Sequence, residues 1–321
     1  MVRFCFGTDD LLRTRFAIAP LMDLVGATYV LRWPERYPEH RPWIDWARPR
    51  ASGLELGLLY VAAPVGVEFY PVFVGPPPRA PRTTVEAEFA RVAGTPSVGV
   101  AAEIERAYPD GVPLAGRVLV EDPARGLERL VAQMRAFWDA LLEPWWNRIT
   151  AVLESEIAWR ARRLAAEGPG AAFADLHHTI RWRDDALCVE PTGKAAADVD
   201  LAGRGLLLVP AAFTWPLVWP RTDPPWDPAL VYTPPGIGEL WAPEDTALSA
   251  LGELLGHNRA RVLIAVERPA ATLDLARQLA LTPSGVSQHL GVLQRAGLVM
   301  SRRDGRRVIY ERTAKGDMLA G

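Results

Sequence analysis

Thr282-Pro-Ser-Gly-Val-Ser-Gln-His-Leu-Gly-Val-Leu-Gln-Arg-Ala-Gly-Leu-Val299 decides the fold of the C-terminal part of this 321-residue chain. Thr282 followed by Pro283 reads as a helix start. The hydroxyl can accept from an orphan backbone N–H, and proline brings no N–H of its own to leave unsatisfied. Val286, Leu290 and Leu293 fall on one stripe at helical spacing. Gly297 and Leu298 form a Schellman-type stop. The inward stripe leaves Ser284, Gly285, Ser287, Gln288 and Gly291 on the outside.

The flanking residues follow the same local rules. Upstream, Asp245 or Thr246 is expected to cap a helix bearing Leu248, Leu251 and Leu255, ended by Gly256. Asn258 is expected to cap the next, with Val262, Leu263 and Val266 inward. Thr272 would cap a third, with Leu275, Ala276 and Leu279 inward, so that the third and fourth helices form a helix-turn-helix. Downstream the period changes to two. Residues 298–303 and 306–311 read as strands joined by Asp304-Gly305. Arg302, Arg303, Arg306 and Arg307 crowd that hairpin. Alone, such a turn reads as a solvated charged loop. Beside a helix-turn-helix it reads as a wing for phosphate or the minor groove.

This arrangement suits duplex DNA. Small residues let the fourth helix approach a groove. Gln288 can pair with adenine through two hydrogen bonds. The serines and Thr282 can donate to phosphates or bases, and the first half of a recognition helix is where base readers sit. His289 borders the core stripe, so a structural hydrogen bond and a phosphate contact both remain open. The charge distribution agrees. Residues 246–321 hold 11 basic and 6 acidic side chains, against 25 and 32 in the rest of the chain. A basic module therefore follows an acidic one.

Residues 246–313 resemble the winged-helix domain of the ArsR-type bacterial repressor family. The pattern S-x-H-L is met at 287–290, L-x-x-A-G-L-V at 293–299, and the arginine hairpin follows at 302–310. The resemblance implies that Ser284, Ser287, Gln288 and His289 face DNA or its backbone and that the wing braces it. It also implies a homodimer on a palindromic double-stranded operator, with the helix at 246–256 a candidate for part of the dimer contact. Metal-sensing members carry a cysteine pair in the helix before the turn. Residues 273–279 here contain neither cysteine nor histidine, which argues against that form of sensing. The preceding 240 or so residues resemble the large uncharacterised region attached to some regulators of this type.

That N-terminal part reads as helical over about 1–175 and strand-rich over about 176–241. A short strand is expected at Val2, Phe4 and Phe6. A long helix should run from Asp122 or Pro123 to Glu143, with Leu127, Leu130, Val131, Met134, Phe137, Trp138, Leu141 and Leu142 on one stripe. Pro144 should interrupt it before a second stripe from Trp145 to Ile157. Short β-prone runs lie at 179–182, 186–190, 205–209, 213–219 and 229–232. His177-His178 sits just before these runs and reads as a boundary or surface pair; adjacent histidines on a strand point to opposite faces and so rarely share one metal. All 12 tryptophans lie before residue 242. Trp138, Trp145 and Trp146 are candidates for gripping an apolar or aromatic effector, or ordinary core.

The expected fold is α+β: a large mainly helical N-terminal domain with a small antiparallel β-sheet, residues 1–241, followed by a winged helix-turn-helix, 242–321. The expected function is a dimeric, effector-controlled DNA-binding repressor. The competing classes are an enzyme, or a protein-interaction module, with an appended winged helix. No phosphate-cradling glycine loop, H-E-x-x-H or G-x-S-x-G motif is present, so no catalytic residue, cofactor or metal is expected. Cys5 and Cys188 lack zinc-type spacing; they could pair, but two isolated cysteines in a chain this size read as reduced thiols. The longest uncharged stretch, 205–220, has 16 residues broken by three prolines, too short for a bilayer span. A cytoplasmic location is the expectation.

Overall fold

The computed structural model describes residues 1–67, 69–190, 196–214, 216–222, 226–241, 246–267, 269–304 and 307–320. They form two compact units, Met1–Ile237 and Gly238–Gly321. The class is α+β. The helices of the first unit are α1 (Asp10–Arg13), α2 (Pro20–Arg32), α3 (Arg41–Ala51), α4 (Gly57–Ala62), α5 (Val85–Ala93), α6 (Ser97–Ala107), α7 (Val118–Glu121), α8 (Pro123–Phe137), α9 (Glu143–Glu167) and α10 (Pro169–Phe173). Its strands are β1 (Val2–Cys5), β2 (Arg15–Phe16), β3 (Ile180–Arg183), β4 (Ala186–Val189), β5 (Ala197–Asp200), β6 (Leu207–Pro210), β7 (Trp219–Arg221) and β8 (Ala229–Tyr232).

The small antiparallel sheet expected here is instead two four-stranded mixed sheets. One has the order β3-β4-β1-β5, with β1 antiparallel to β4 and parallel to β5. The other has the order β2-β6-β8-β7, in which β2, β6 and β8 run parallel and β7 is antiparallel. The physical reason lies in the strands themselves. β6 and β8 are buried along their whole length. A continuous apolar run marks a strand covered on both faces, as in parallel sheets, whereas a half-solvated antiparallel strand alternates. Parallel pairing also needs a long crossover, and residues 17–206 supply it. Of the run expected at 213–219, only Trp219 joins a strand among the described residues. Phe213 lies in a buried turn, and β5 and β2 were not anticipated.

The chain does not break at Pro144. Asp122 caps α8, accepting from the Arg125 N–H at 3.3 Å. A π-helical turn, Trp138–Leu142, then leads directly into α9. Pro144 falls in the first turn of α9, where its missing N–H costs nothing. The stripe is buried as its spacing requires, apart from half-buried Val131. Gln133 is buried among it and accepts from the Leu59 N–H at 2.9 Å.

Helix α2 is buried from Pro20 to Val30, the pattern of a helix apolar on all sides. Gly26 permits this. A Cβ there would lie 2.6 Å from the Phe213 carbonyl oxygen. Asp23 is the acidic exception. Its Oδ1 accepts from the N–H groups of Ala212 and Phe213 at 2.6 and 3.2 Å. Glu88 Oε2 accepts from the Leu21 N–H at 2.8 Å. Burial pushes both carboxyls up to about 7, and the charge of Glu88 adds to the effect on Asp23.

The second unit holds α11 (Thr246–Leu255), α12 (His257–Ala265), β9 (Ala270–Ala271), α13 (Thr272–Gln278), α14 (Pro283–Arg295), β10 (Val299–Asp304), β11 (Arg307–Arg312) and α15 (Ala314–Ala320). Leu263, Leu275, Val286, Leu290 and Leu293 lie at the centre of its core. Three strands order as β10-β11-β9, all antiparallel. Thr282 Oγ1 accepts from the Gly285 N–H at 3.0 Å. Gly297, at φ +70°, lets the Leu298 N–H reach the Leu293 carbonyl at 2.9 Å and its own N–H reach Gln294 at 2.9 Å, the Schellman pair. Asn258 does not cap α12, because Gly256 takes that place. Thr272 does not cap α13 either. β9 holds the chain extended through Ala271, which becomes the residue before the helix and makes no side-chain cap. Asp304 pairs with Arg307, so Asp304 belongs to β10 rather than to the link expected at Asp304-Gly305. Asp245, one of the two caps expected for α11, lies outside the described residues.

Two outcomes are expected. The folded state favours protonated Asp23, so stability is full below the unfolded carboxylate value near 4 and is lost as pH rises toward about 7. Asp23→Asn keeps both backbone hydrogen bonds. It should flatten that loss, on the order of a few kcal/mol, between denaturant titrations at pH 5 and pH 8. An unchanged difference would show that Asp23 is charged in the fold throughout. Thr282→Ala should cost about 1 kcal/mol in chemical unfolding, and Thr282→Ser should recover most of it.

Candidate nucleic-acid interface

Helix α14 presents a polar outer face because its apolar residues are used inward. Ser284, Ser287 and Gln288 are exposed, Gly285 and His289 are half-buried, and Thr282 is 8% exposed. The structure therefore separates these residues by role. Ser284, Ser287 and Gln288 stand outward within two turns of one another. Thr282 is spent on the cap, with its hydroxyl also 3.3 Å from Ser284 Oγ. A Cβ at residue 285 would lie 2.9 Å from the Thr282 hydroxyl oxygen, so glycine there serves the cap as well as the approach of a ligand.

His289 sits on the inner edge of the helix. Burial lowers its imidazole below the usual histidine value, and the nearby Arg259 guanidinium lowers it further. Both effects favour the neutral imidazole.

The hairpin register distributes the wing arginines over both faces. Arg302 stands across from Ile309 and Arg303 across from Val308. Successive residues of a strand point to opposite sides. Arg303 therefore shares the face of Ser301, which accepts from Gln294 Nε2 of α14 at 3.0 Å. Arg302 and Arg307 share the other face. All three are exposed. Arg306 lies outside the described residues. Two basic residues were not singled out from the sequence. Arg277 of α13 lines a shallow hollow with Thr272, Asp274 and Arg307. Arg295 is exposed and reaches back to within 3.6 Å of where a Gly291 Cβ would be. The signal available for Arg295 was its helical spacing from Gln288 and Gly291. Nothing in sequence connects Arg277 to Arg307, because their proximity depends on β9 pairing with β11.

The tryptophan candidates divide. Trp138 is 4% exposed and belongs to the packed core. Its ring meets Trp146 edge-on at 4.9 Å. Trp145 meets Trp46 edge-on at 5.5 Å, with the Arg148 guanidinium 5.3 Å from its ring. Trp145 and Trp146 are half-buried. His177 and His178 are not on a strand. They precede β3, and their rings lie 4.0 Å apart. Among the described residues, no three His, Cys, Asp or Glu side chains stand together as metal ligands would. No helix among them is long and apolar enough to cross a membrane.

Comparison with known proteins divides the chain in the same sense. Residues 103–236 match a family of unknown function, DUF5937. Residues 257–302 match a helix-turn-helix domain family. No curated protein matches the chain. The C-terminal match covers α12, α13, α14 and the start of β10, and it supports a DNA-binding transcriptional regulator rather than an enzyme.

Proposed function

We propose that the chain is a sequence-specific repressor of the ArsR type, acting as a homodimer on a palindromic operator in double-stranded DNA. The observation that carries this reading is the exposed polar face of α14, Ser284, Ser287 and Gln288, beside a hairpin bearing exposed Arg302, Arg303 and Arg307. Helix α14 enters the major groove with its first two turns against base edges, where Gln288 is the reader. The wing meets the backbone. With arginines on both faces, a hairpin set edge-on into a groove addresses the phosphates of both walls. Half-sites then lie about one helical turn, ~34–36 Å, apart or a multiple of it.

For control, a small apolar or aromatic effector binds in the N-terminal unit, against the half-buried Trp145 and Trp146. Such an effector acts only through different affinities for the DNA-competent and incompetent arrangements. A coupling of about 1–3 kcal/mol changes DNA affinity roughly 5- to 150-fold.

The test is selection of bound sites from a random duplex pool at near-physiological salt. A two-fold motif is expected, and no enrichment by folded protein would overturn the reading. On the recovered site, Arg302→Ala, Arg303→Ala and Arg307→Ala together should weaken every duplex alike. They should also reduce the slope of log affinity against log salt by roughly 1 for each phosphate no longer neutralised. Gln288→Ala should instead relax the preference at one base pair, at a cost of about 1–3 kcal/mol on the cognate site alone. An equal loss on all duplexes would make Gln288 a backbone contact.

A further inference from the structure

The outer face of the first sheet carries chemistry that the helix-turn-helix does not use. Register fixes its layout. Cys188 on β4 stands in one row between Arg3 on β1 and Arg181 on β3, and Asp198 on β5 ends the row. In the next row Cys5 stands between Ala186 and Asp200. Val2, Phe4, Leu187 and Val189 point into the core. Strand alternation therefore puts both thiols on the opposite face. Both are free and half-buried.

Arg3 Nη1 donates to Asp198 Oδ2 at 3.2 Å along the row. On the same face Arg3 stands directly across from Cys188 and two residues before Cys5. Arg181 turns Nη1 back to the carbonyls of His178 and Ile180, both at 2.7 Å. Arg3 is thus the cation that the structure sets against sulfur. A partly exposed thiol beside a cation is where oxidation is selective, and a second thiol close by makes it reversible.

We propose that Cys188 and Cys5 form an oxidation site for small hydroperoxides, with Cys188 the attacking thiol and Cys5 the resolving one. In the first step the Cys188 sulfur attacks the terminal oxygen of ROOH. The O–O bond breaks, sulfur loses two electrons to become the sulfenic acid, and the leaving alkoxide departs as ROH with the thiol proton. In the second step the Cys5 sulfur attacks the sulfenic sulfur. The S–O bond breaks, the S–S bond forms, and the oxygen leaves as water with the Cys5 proton. Diagonal neighbours on antiparallel strands stand roughly 7–8 Å apart at Cα, just past the ~6.8 Å limit of a relaxed disulfide. Closing the bridge needs a backbone shift at Cys5, whose carbonyl accepts from the Leu201 N–H at 3.2 Å. A bridge formed this way is easily reduced, which suits a reversible mark rather than a permanent staple.

The test uses the full chain. It is treated with one equivalent of hydrogen peroxide, quenched with an alkylating reagent and mapped by mass spectrometry. The expected product is a peptide pair joined through Cys5 and Cys188 within one chain, reversed by dithiothreitol. Cys5→Ser should stop at a Cys188 sulfenic acid trapped by a cyclic dione. Arg3→Met, shown folded by circular dichroism, should slow alkylation of Cys188 by iodoacetamide on the order of tenfold relative to wild type. Three results overturn the proposal: both thiols intact under peroxide that oxidises free cysteine, bridges that join only different chains, or an Arg3→Met rate equal to wild type. The wild-type peptide map decides the first two without relying on any variant to fold.

Discussion

Two backbone N–H groups, those of Ala212 and Phe213, donate to one buried carboxyl oxygen of Asp23 across 189 and 190 residues of chain. Much of the first unit hangs on this contact. Asp23 lies in the first turn of α2, and Ala212 and Phe213 follow β6, so the contact fixes where a wholly buried helix begins relative to a central parallel strand. Glu88 acts in the same way from α5, accepting the Leu21 N–H. A buried helix start has orphan N–H groups and a buried strand end has no water to turn to. Carboxyls placed there satisfy donors that apolar residues cannot. Their burial carries a cost that shows in the raised proton affinity of both groups. Phe213, held by that bond, in turn lies against Trp43 at 4.6 Å and His40 at 5.0 Å.

In the second unit the order of dependence is local. The cap at Thr282, the stripe through Val286, Leu290 and Leu293, and the stop at Gly297 each need only neighbours within about a turn or two. These were legible in sequence for that reason. The outward placing of Ser284, Ser287 and Gln288 follows from the stripe by geometry alone. What could not be read there depends on another element. The lowered proton affinity of His289 comes from burial and from Arg259 on α12. The start of α13 at Thr272 comes from β9 pairing with β11. The meeting of Arg277 and Arg307 has the same origin. Arg302 and Arg303 were legible as a cluster, but their division between two faces required the register.

The first unit shows the opposite balance. Helix α8 was readable from its stripe and its capped start. The continuation through a π turn was not, since a proline inside a pattern ordinarily ends it. Strands β6 and β8 were visible as apolar runs, yet their parallel pairing was hidden because the third partner, β2, lies nearly 200 residues away and has only two residues. Asp23 did carry a signal: an acidic residue within an otherwise apolar helix asks for a buried partner. The Arg3, Cys5 and Cys188 grouping carried none, because two strands from distant parts of the chain, β1 and β4, compose it.

The parallel pairing of β1 with β5 has a consequence for how the protein is made. Val2 pairs with both Val189 and Ala197, and a ribosome delivers the chain from one end at about 5–20 residues per second. Strand β1 therefore waits roughly ten to forty seconds for its neighbours, with Val2 and Phe4 unburied throughout. The helices from α2 to α9 emerge in that interval and must collapse without closing over the gap. Both sheets finish only when β5 and β8 have left the tunnel. The helix-turn-helix follows last and, built from near-neighbour contacts, folds fast by comparison. The slow event in biogenesis is thus closure of the two mixed sheets, during which an apolar strand stands as a natural client for a chaperone.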